Sequence, residues 1–329
     1  MRLLPLMIAL VGCPAPVDPT DTDTDSGTDT DTADPGVTVR VVTWNIEGVG
    51  SSSSTEGQAE RAILARLDAD VVGLNEVDEG QEGRLRDLAA DLGYDVYFTP
   101  PNNPFGTLRN GMMTRLPVVE IGALSPAELS GDRSANDATR HPVRVIVEVP
   151  DTDKRLTVVS NHWKSGFDPS DRFRRTVDGI RTAQAAGDTF ALAMGDVNAE
   201  LEDMPESPST WTSVPDGLPF DYRLGDDARG TLQRDGLTNS AFGAFEDAGM
   251  HVVEALQLDG RLATRPSSSR AIDWIYATAD LDGAIVGEIY DCTDEGQASG
   301  LPKAGEPPER SACTDASDHL PVFVDVTFR

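Results

Sequence analysis

The chain has 329 residues, 39% of them hydrophobic and 25% charged, which is ordinary for a globular fold with a substantial core. Its 56 acids against 27 bases give a formal net charge of −29, which excludes a broad basic face for polyanions unless cations or a local basic patch intervene. No apolar run reaches the roughly 18 residues of a spanning helix, so no transmembrane segment is expected.

Met1 to Cys13 carries one positive charge, an apolar run, and small residues before a cysteine. Leu10-Val11-Gly12-Cys13 resembles the lipobox of a bacterial lipoprotein signal peptide. That resemblance implies cleavage after residue 12 and lipidation of Cys13. Residues 13–36 alternate aspartate with threonine and offer nothing apolar to bury, so a solvated, disordered tether is expected. Asp21, Asp23 and Asp25 have calcium-loop spacing, but Ser26 and Thr32 stand where glycine and glutamate are required.

From Val37 the chain reads as one domain to Arg329. Val37–Val42 is strand-like and ends at Thr43-Trp44-Asn45-Ile46-Glu47. A helix is expected from about Glu56 to Leu67, then a strand from Ala69 to Leu74 closing on Asn75-Glu76-Val77. Leu85–Leu92 reads as a helix stopped at Gly93, and Tyr94–Phe98 as a strand. Asn110–Val118 and Arg140–Val147 look like antiparallel strands, and Leu156–Ser160 leads into Asn161-His162-Trp163-Lys164-Ser165. Asp168-Pro169 starts a helix that runs to Ala186 and stops at Gly187.

Phe190–Met194 is a short continuous apolar run, the mark of a strand buried on both faces. Asp196 and Asn198 follow it two apart, so on an extended backbone they project together beyond the strand end. Residues 203–246, rich in proline, glycine and aspartate, read as a long surface excursion. Ala271–Ala277 is a further strand, and Ser317-Asp318-His319 opens the last one. Strands and helices mix without strict alternation, so a mixed sheet or a pair of sheets fits best. Cys292 and Cys313 flank a Gly/Pro-rich loop, and in an exported protein a disulfide between them is expected.

The polar residues at the strand ends are Asn45, Glu76, Asn161, His162, Asp196, Asn198, Asp273, Asp318 and His319. Oxygen-rich donors of this kind suit a hard divalent cation, Mg²⁺ first, with Mn²⁺ or Ca²⁺ as alternatives. A hard cation among carboxylates and imidazoles suits phosphate-ester hydrolysis. Thr-Trp-Asn-Ile, Leu-Asn-Glu-Val, Ser-Asn-His-Trp-Lys-Ser, Gly-Asp-Val-Asn-Ala, Ile-Asp-Trp-Ile and Ser-Asp-His-Leu-Pro-Val occur in that order. Together they resemble the motif series of the endonuclease/exonuclease/phosphatase superfamily, over about residues 37–329.

The resemblance implies an α/β four-layer sandwich, two mixed β-sheets packed face to face and flanked by helices, with the site at one sheet edge. It implies that Glu76 is the principal metal ligand, with Asn45 and Asp318 at the metal site. Asp196 is then the acid that orients or deprotonates the attacking water, and Asn198 holds phosphate. His319 contacts the scissile phosphate with Asp273 on its far nitrogen, and His162 is a second catalytic histidine. Arg140 is a candidate phosphate contact; Asn161 is either that or a backbone-bonding residue. Trp44, Trp163 and Trp274 read as core, and His141 and His251 as structural or surface residues. The Arg172–Arg175 cluster reads either as a solvated helix face or as a guide for phosphates.

The Asn-His-x-Lys-Ser form resembles secreted bacterial nucleases, so a surface-anchored, monomeric nuclease is the first expectation, with nucleic acid as partner and the membrane reached through Cys13. A phospholipid or sphingomyelin phosphodiesterase comes second, and a nucleotide or inositol-phosphate phosphatase third. A binding module with a degenerate site is the alternative from outside enzymology; the full set of acids and histidines argues against it.

Overall fold

The computed structural model describes residues 36–99, 105–201, 213–234, 242–295 and 300–329. The expected signal segment, Cys13 and the expected tether through Pro35 lie outside them. No described helix is long and apolar enough to cross a membrane. Gly36 to Arg329 forms one compact unit.

The first strands are β1 (Val37–Asn45), β2 (Val71–Val77), β3 (Asp95–Phe98), β4 (Arg109–Thr114), β5 (Val118–Ala123), β6 (Val143–Glu148) and β7 (Arg155–Ser160). They are followed by β8 (Ala191–Asp196), β9 (Met250–Val252), β10 (Ala255–Leu256), β11 (Asp273–Thr278), β12 (Ile285–Ile289) and β13 (Val322–Phe328). The helices are α1 (Thr55–Leu67), α2 (Glu82–Leu92), α3 (Pro126–Ser130), α4 (Pro169–Ala186), α5 (Asp226–Arg234), α6 (Gly243–Asp247) and α7 (Ala312–Ala316).

Seven strands make one sheet in the order β10-β12-β13-β1-β2-β4-β3, and six make the other in the order β5-β6-β7-β8-β11-β9. β1 with β2, β7 with β8, and β10 with β12 run parallel, so both sheets are mixed. The sheets meet face to face: Val41 and Val72 share one core with Val145, Val158 and Leu192. On the outer face of the first sheet, α1 buries Ile63, Leu64 and Leu67 completely, which stabilises the fold by roughly 1.5–3 kcal/mol per side chain. On the outer face of the second, Phe173, Val177 and Ile180 of α4 pack with Phe245 of α6 and with Ala193 and Tyr276. The result is the expected four-layer sandwich.

Local chemistry sets the element ends. Ser54 caps α1 by accepting the Gly57 amide at 3.1 Å, and Asp68 closes it in the left-handed conformation. α4 begins at Pro169 and is stopped at Gly187, as expected, although the Asp168 side chain makes no capping bond. Asn110–Val118 is antiparallel strand material, as expected, and it is divided between two strands. Pro117 lacks the amide that a continuous ladder needs, and the chain passes there from β4 in one sheet to β5 in the other. The excursion at 203–246 is corrected. Its described parts form α5 and α6, and they bury Tyr222, Leu232, Phe242 and Phe245 against α4.

Cys292 and Cys313 are joined, with Cα atoms 5.6 Å apart. Trp44, Trp163 and Trp274 are buried, each indole donating to an internal oxygen: the His319 carbonyl, the Thr182 hydroxyl and the Ala199 carbonyl.

Candidate active site

One end of the sandwich gathers the C-terminal ends of the parallel strands β1, β2, β7 and β8 and the entry points of their antiparallel neighbours β11 and β13. Asn45 is the last residue of β1, Asp196 the last of β8 and Asp273 the first of β11. The register pairs Asp273 with Asp196 across the ladder. Gly195 allows this approach: its φ is +145°, and a Cβ there would sit 1.8 Å from the Asn161 carbonyl oxygen. Glu47, Glu76 and Asn198 all hold positive φ, near +55°, a left-handed state costly for glutamate and more tolerable for asparagine.

Asp196 is almost fully buried, and each of its oxygens accepts one hydrogen bond. Its Oδ2 accepts from Asn45 Nδ2 at 2.9 Å, and its Oδ1 from the Asn198 amide at 2.9 Å. Burial, reinforced by the charge of Asp273, raises its pKa. For His319, burial alone would lower the pKa. The Asp273 charge and the 2.8 Å contact of Asp273 Oδ2 to Nδ1 overcome it and raise the imidazole to about 9. His319 is therefore an imidazolium at neutral pH. Its Nε2 lies 4.0 Å from Asp196 Oδ2 and 3.5 Å from Asp318 Oδ1.

His162 is the opposite case. Burial, and then the positive charges of Arg140 and His319, push its pKa well down, so it is neutral. Its Nε2 lies 3.7 Å from Glu76 Oε1 and 3.6 Å from Asp196 Oδ2. Glu76, His162 and Asp196 can each turn a ligand atom to within 4.8 Å of the others, and Asp196, Asp273 and His319 form a second such group. Two carboxylates and an unprotonated imidazole make the first group a fitting cage for a divalent cation. The second already spends its imidazole proton on Asp273, which fits it less well.

The remaining expected residues divide. Asn45 joins Asp196 directly, and its Oδ1 accepts from the Glu47 amide. Asn198 donates to the Trp163 carbonyl at 3.1 Å. Arg140 is buried, its Nη1 on the His162 carbonyl at 3.1 Å, and it lies within electrostatic reach of Glu76 and Asp196. Asn161 sits beneath the site with its amide committed to Thr182, Asn110 and the His162 backbone, so it serves the backbone and buried network. Asp318 lies outside both candidate metal groups, and its Oδ2 is held by Arg265 at 2.5 and 2.8 Å. Of the other histidines, His141 is half-buried and His251 pairs with Asp282 at 2.9 Å.

Several site residues escaped the sequence reading. Asn75 accepts the Asp196 amide at 2.8 Å and donates to Asn110, tying the two sheets beneath the site. Ser317 bonds the Asn45 carbonyl and receives the His319 amide. Both stand inside quoted motifs, beside the residues singled out. Thr264 donates to Asp273 Oδ2 at 2.7 Å, and Arg265 beside it clamps Asp318; their stretch has no periodicity to mark them. The basic cluster is corrected: Arg174 and Arg175 are buried, and only Arg172 faces solvent.

Comparison with solved structures returns the same architecture at low identity. An endonuclease/exonuclease/phosphatase from Beutenbergia cavernae DSM 12333 is 19% identical with a TM-score of 0.52, over 89% of this chain and 72% of that one. D. rerio TDP2 complexed with a single strand DNA product is 14% identical with a TM-score of 0.52, over 88% of this chain and 99% of that one. No curated protein matches the sequence. The family model described as Endonuclease/Exonuclease/phosphatase family matches residues 42–319, the span that carries every site residue above, and the chain belongs to that family.

Proposed function

We propose that the protein is a divalent-cation-dependent phosphodiesterase that cleaves DNA or RNA, exported and held at the cell envelope through a lipidated Cys13. Phosphoester hydrolysis is the family's chemistry. The observation that carries the reading is geometric: Asp196, held by Asn45 and the Asn198 amide, stands 4.0 Å from Nε2 of His319, whose other ring nitrogen is fixed by Asp273.

Asp196, fixed by Asn45 and the Asn198 amide, is the group placed to orient a water and accept its proton. His319, aligned by Asp273 and Thr264, presents Nε2–H to a phosphoryl oxygen and counters its charge. Asn198 and Arg140 border the same space and serve as phosphate contacts. Glu76, His162 and Asp196 would hold the cation, with Asn45 beside them, and when bound it supplies Lewis-acid polarisation of the phosphate. Neutral His162 keeps Nε2 available for that cation or for the substrate.

Nucleic acid ranks first because the loop Asn161-His162-Trp163-Lys164-Ser165 has the form seen in secreted nucleases; the D. rerio TDP2 structure, alike in fold, holds a DNA product. A phospholipid phosphodiesterase is the second reading, favoured by Phe220, which is 95% exposed on the stretch after residue 213. The deciding experiment is hydrolysis of DNA, RNA, sphingomyelin and nucleotides side by side with Mg²⁺. Cleavage of sphingomyelin alone would replace the nuclease reading, and no phosphoester cleaved would remove both.

A further inference from the structure

Buried polar groups near Arg140 have a composition that the catalytic centre does not explain. Arg174, on the first half of α4, is 6% exposed, and its Nε and Nη2 are buried with no hydrogen-bond partner. Arg140 Nε and the Tyr222 hydroxyl are buried and unpartnered as well. All of these are donors, or can be. The carboxylate among them, Asp178, is already engaged: Oδ1 accepts the Thr139 amide at 2.6 Å and Oδ2 the Lys164 amide at 2.9 Å.

The surplus is one of hydrogen-bond donors. Arg140 lies among Asp178, Glu76 and Asp196, yet Arg140 Nε and Arg174 Nε and Nη2 have no hydrogen-bond partner, carboxylate or other. Buried guanidinium N–H groups without acceptors are costly for a fold to hold, so such a surplus of donors is the imprint of a missing anion. Aromatic side chains shape the walls. The Arg174 guanidinium lies 5.0 Å from the Phe105 ring centre and 6.0 Å from that of Tyr222, and these two rings are 5.7 Å apart. Stacking of this kind fixes a guanidinium without using its donors. Arg140 links this cluster to the catalytic centre: it lies within electrostatic reach of Glu76 and Asp196, and also of Asp178 and Arg174.

We propose that Arg174 and Tyr222, joined to the catalytic centre through Arg140, form a second oxyanion subsite, which takes a phosphate group of the substrate other than the one being cleaved. This rests on the phosphodiesterase reading and deepens it. A substrate with two phosphates fits such a subsite, as in a nucleotide chain, and a choline phospholipid with one does not.

The test compares the dinucleotides TpT and pTpT, which share a scissile linkage and differ by one phosphate. The wild-type enzyme is expected to favour pTpT in kcat/KM by about 10- to 100-fold, the worth of charge-assisted hydrogen bonds to one phosphate. Arg174→Met should collapse that ratio to near 1, and Tyr222→Phe, which removes only the hydroxyl, should reduce it several-fold. Independently of turnover, inorganic sulfate should raise the Tm of the wild type and not that of Arg174→Met. A free anion as the true ligand would show as that Tm rise together with a wild-type ratio of 1, which overturns the substrate subsite. A ratio untouched by both variants, or a Tm indifferent to sulfate, overturns it as well. If Arg174→Met does not fold, Tyr222→Phe and wild-type sulfate binding decide. If the wild type cleaves neither dinucleotide nor bis(p-nitrophenyl) phosphate, the phosphodiesterase reading fails, while the sulfate measurement still judges the anion site.

Discussion

Asp273 Oδ2 lies 2.8 Å from His319 Nδ1 and also accepts the Thr264 hydroxyl at 2.7 Å, so a single carboxylate oxygen fixes both the charge and the orientation of the imidazole. Asp273→Asn should therefore remove the main support of the raised pKa. His319 stays protonated up to about pH 9 in the wild type. If the imidazolium is the working form, activity should fall through that pH, and in Asp273→Asn the alkaline limb should move to lower pH. A pH profile of kcat measures this; an unmoved limb would separate the limb from His319.

Asp196→Asn and His319→Ala should each lower kcat by at least roughly 10²-fold, the scale of a lost acid–base group. Asp273→Asn should be milder, since it removes a positioning partner. Near-normal turnover of a folded Asp196→Asn would dismiss it as the acceptor of the water's proton.

A chelator should abolish activity, and Mg²⁺ or Mn²⁺ should restore it, because Glu76 and Asp196 face His162 as a carboxylate-rich cage. Glu76→Gln should weaken the restoring cation's apparent affinity, read from a metal titration of rate. Full turnover in excess chelator would remove the cation from the reaction.

Glu60 is fully buried on α1, accepts the Gly50 amide at 2.8 Å, and is raised by burial to about 7. A carboxyl group with a raised folded-state pKa favours folding at low pH. That advantage is lost as pH rises from the unfolded value near 4.5 through about 7, and the loss is on the order of 3 kcal/mol. Glu60→Gln keeps an acceptor for Gly50 and cannot ionise. Its Tm should match the wild type near pH 4 and exceed it at pH 8. Parallel Tm curves across that range would disprove ionisation of Glu60 as the cause.

If the substrate is nucleic acid, this acidic chain must meet a polyanion through few cations. Among them Lys164 is paired with Asp171 at 3.1 Å, and Arg175 is spent on the Lys164 and Gly166 carbonyls. Duplex DNA binding should show a shallow log–log salt slope, on the order of −2 to −4 at about −0.9 per phosphate contact. A steep slope would reveal a basic groove elsewhere. Charge reversal at buried Arg174 and Arg175 is unsuited to this question, because it would place carboxylates in the interior.

The sequence was legible where one residue type leaves one physical option. The apolar run at Phe190–Met194 reads as an interior strand, and β8, from Ala191, is buried throughout. Pro169 and Gly187 bounded α4 for reasons intrinsic to those residues. Legibility failed where tertiary partners decide. Nothing local distinguishes the buried Arg174 from the exposed Arg172 two residues away, because burial depends on Phe105 and Tyr222, distant in sequence. Thr264 likewise becomes a site residue only because the loop before β11 returns its hydroxyl to Asp273. Asp318 could be placed at the site from its motif, but its bond to Arg265 could not.

The pairing of β1 with β13 sets the order of events during synthesis. β1 is among the first strands of the domain to emerge from a ribosome, yet its antiparallel neighbour on that side follows His319. Until the final stretch is made, β1 has an open edge, the imidazole that completes the centre is missing, and Trp44 lacks the His319 carbonyl that receives its indole proton. Removal of β13 would therefore take a central strand out of the seven-stranded sheet and leave β1 unpaired on that side.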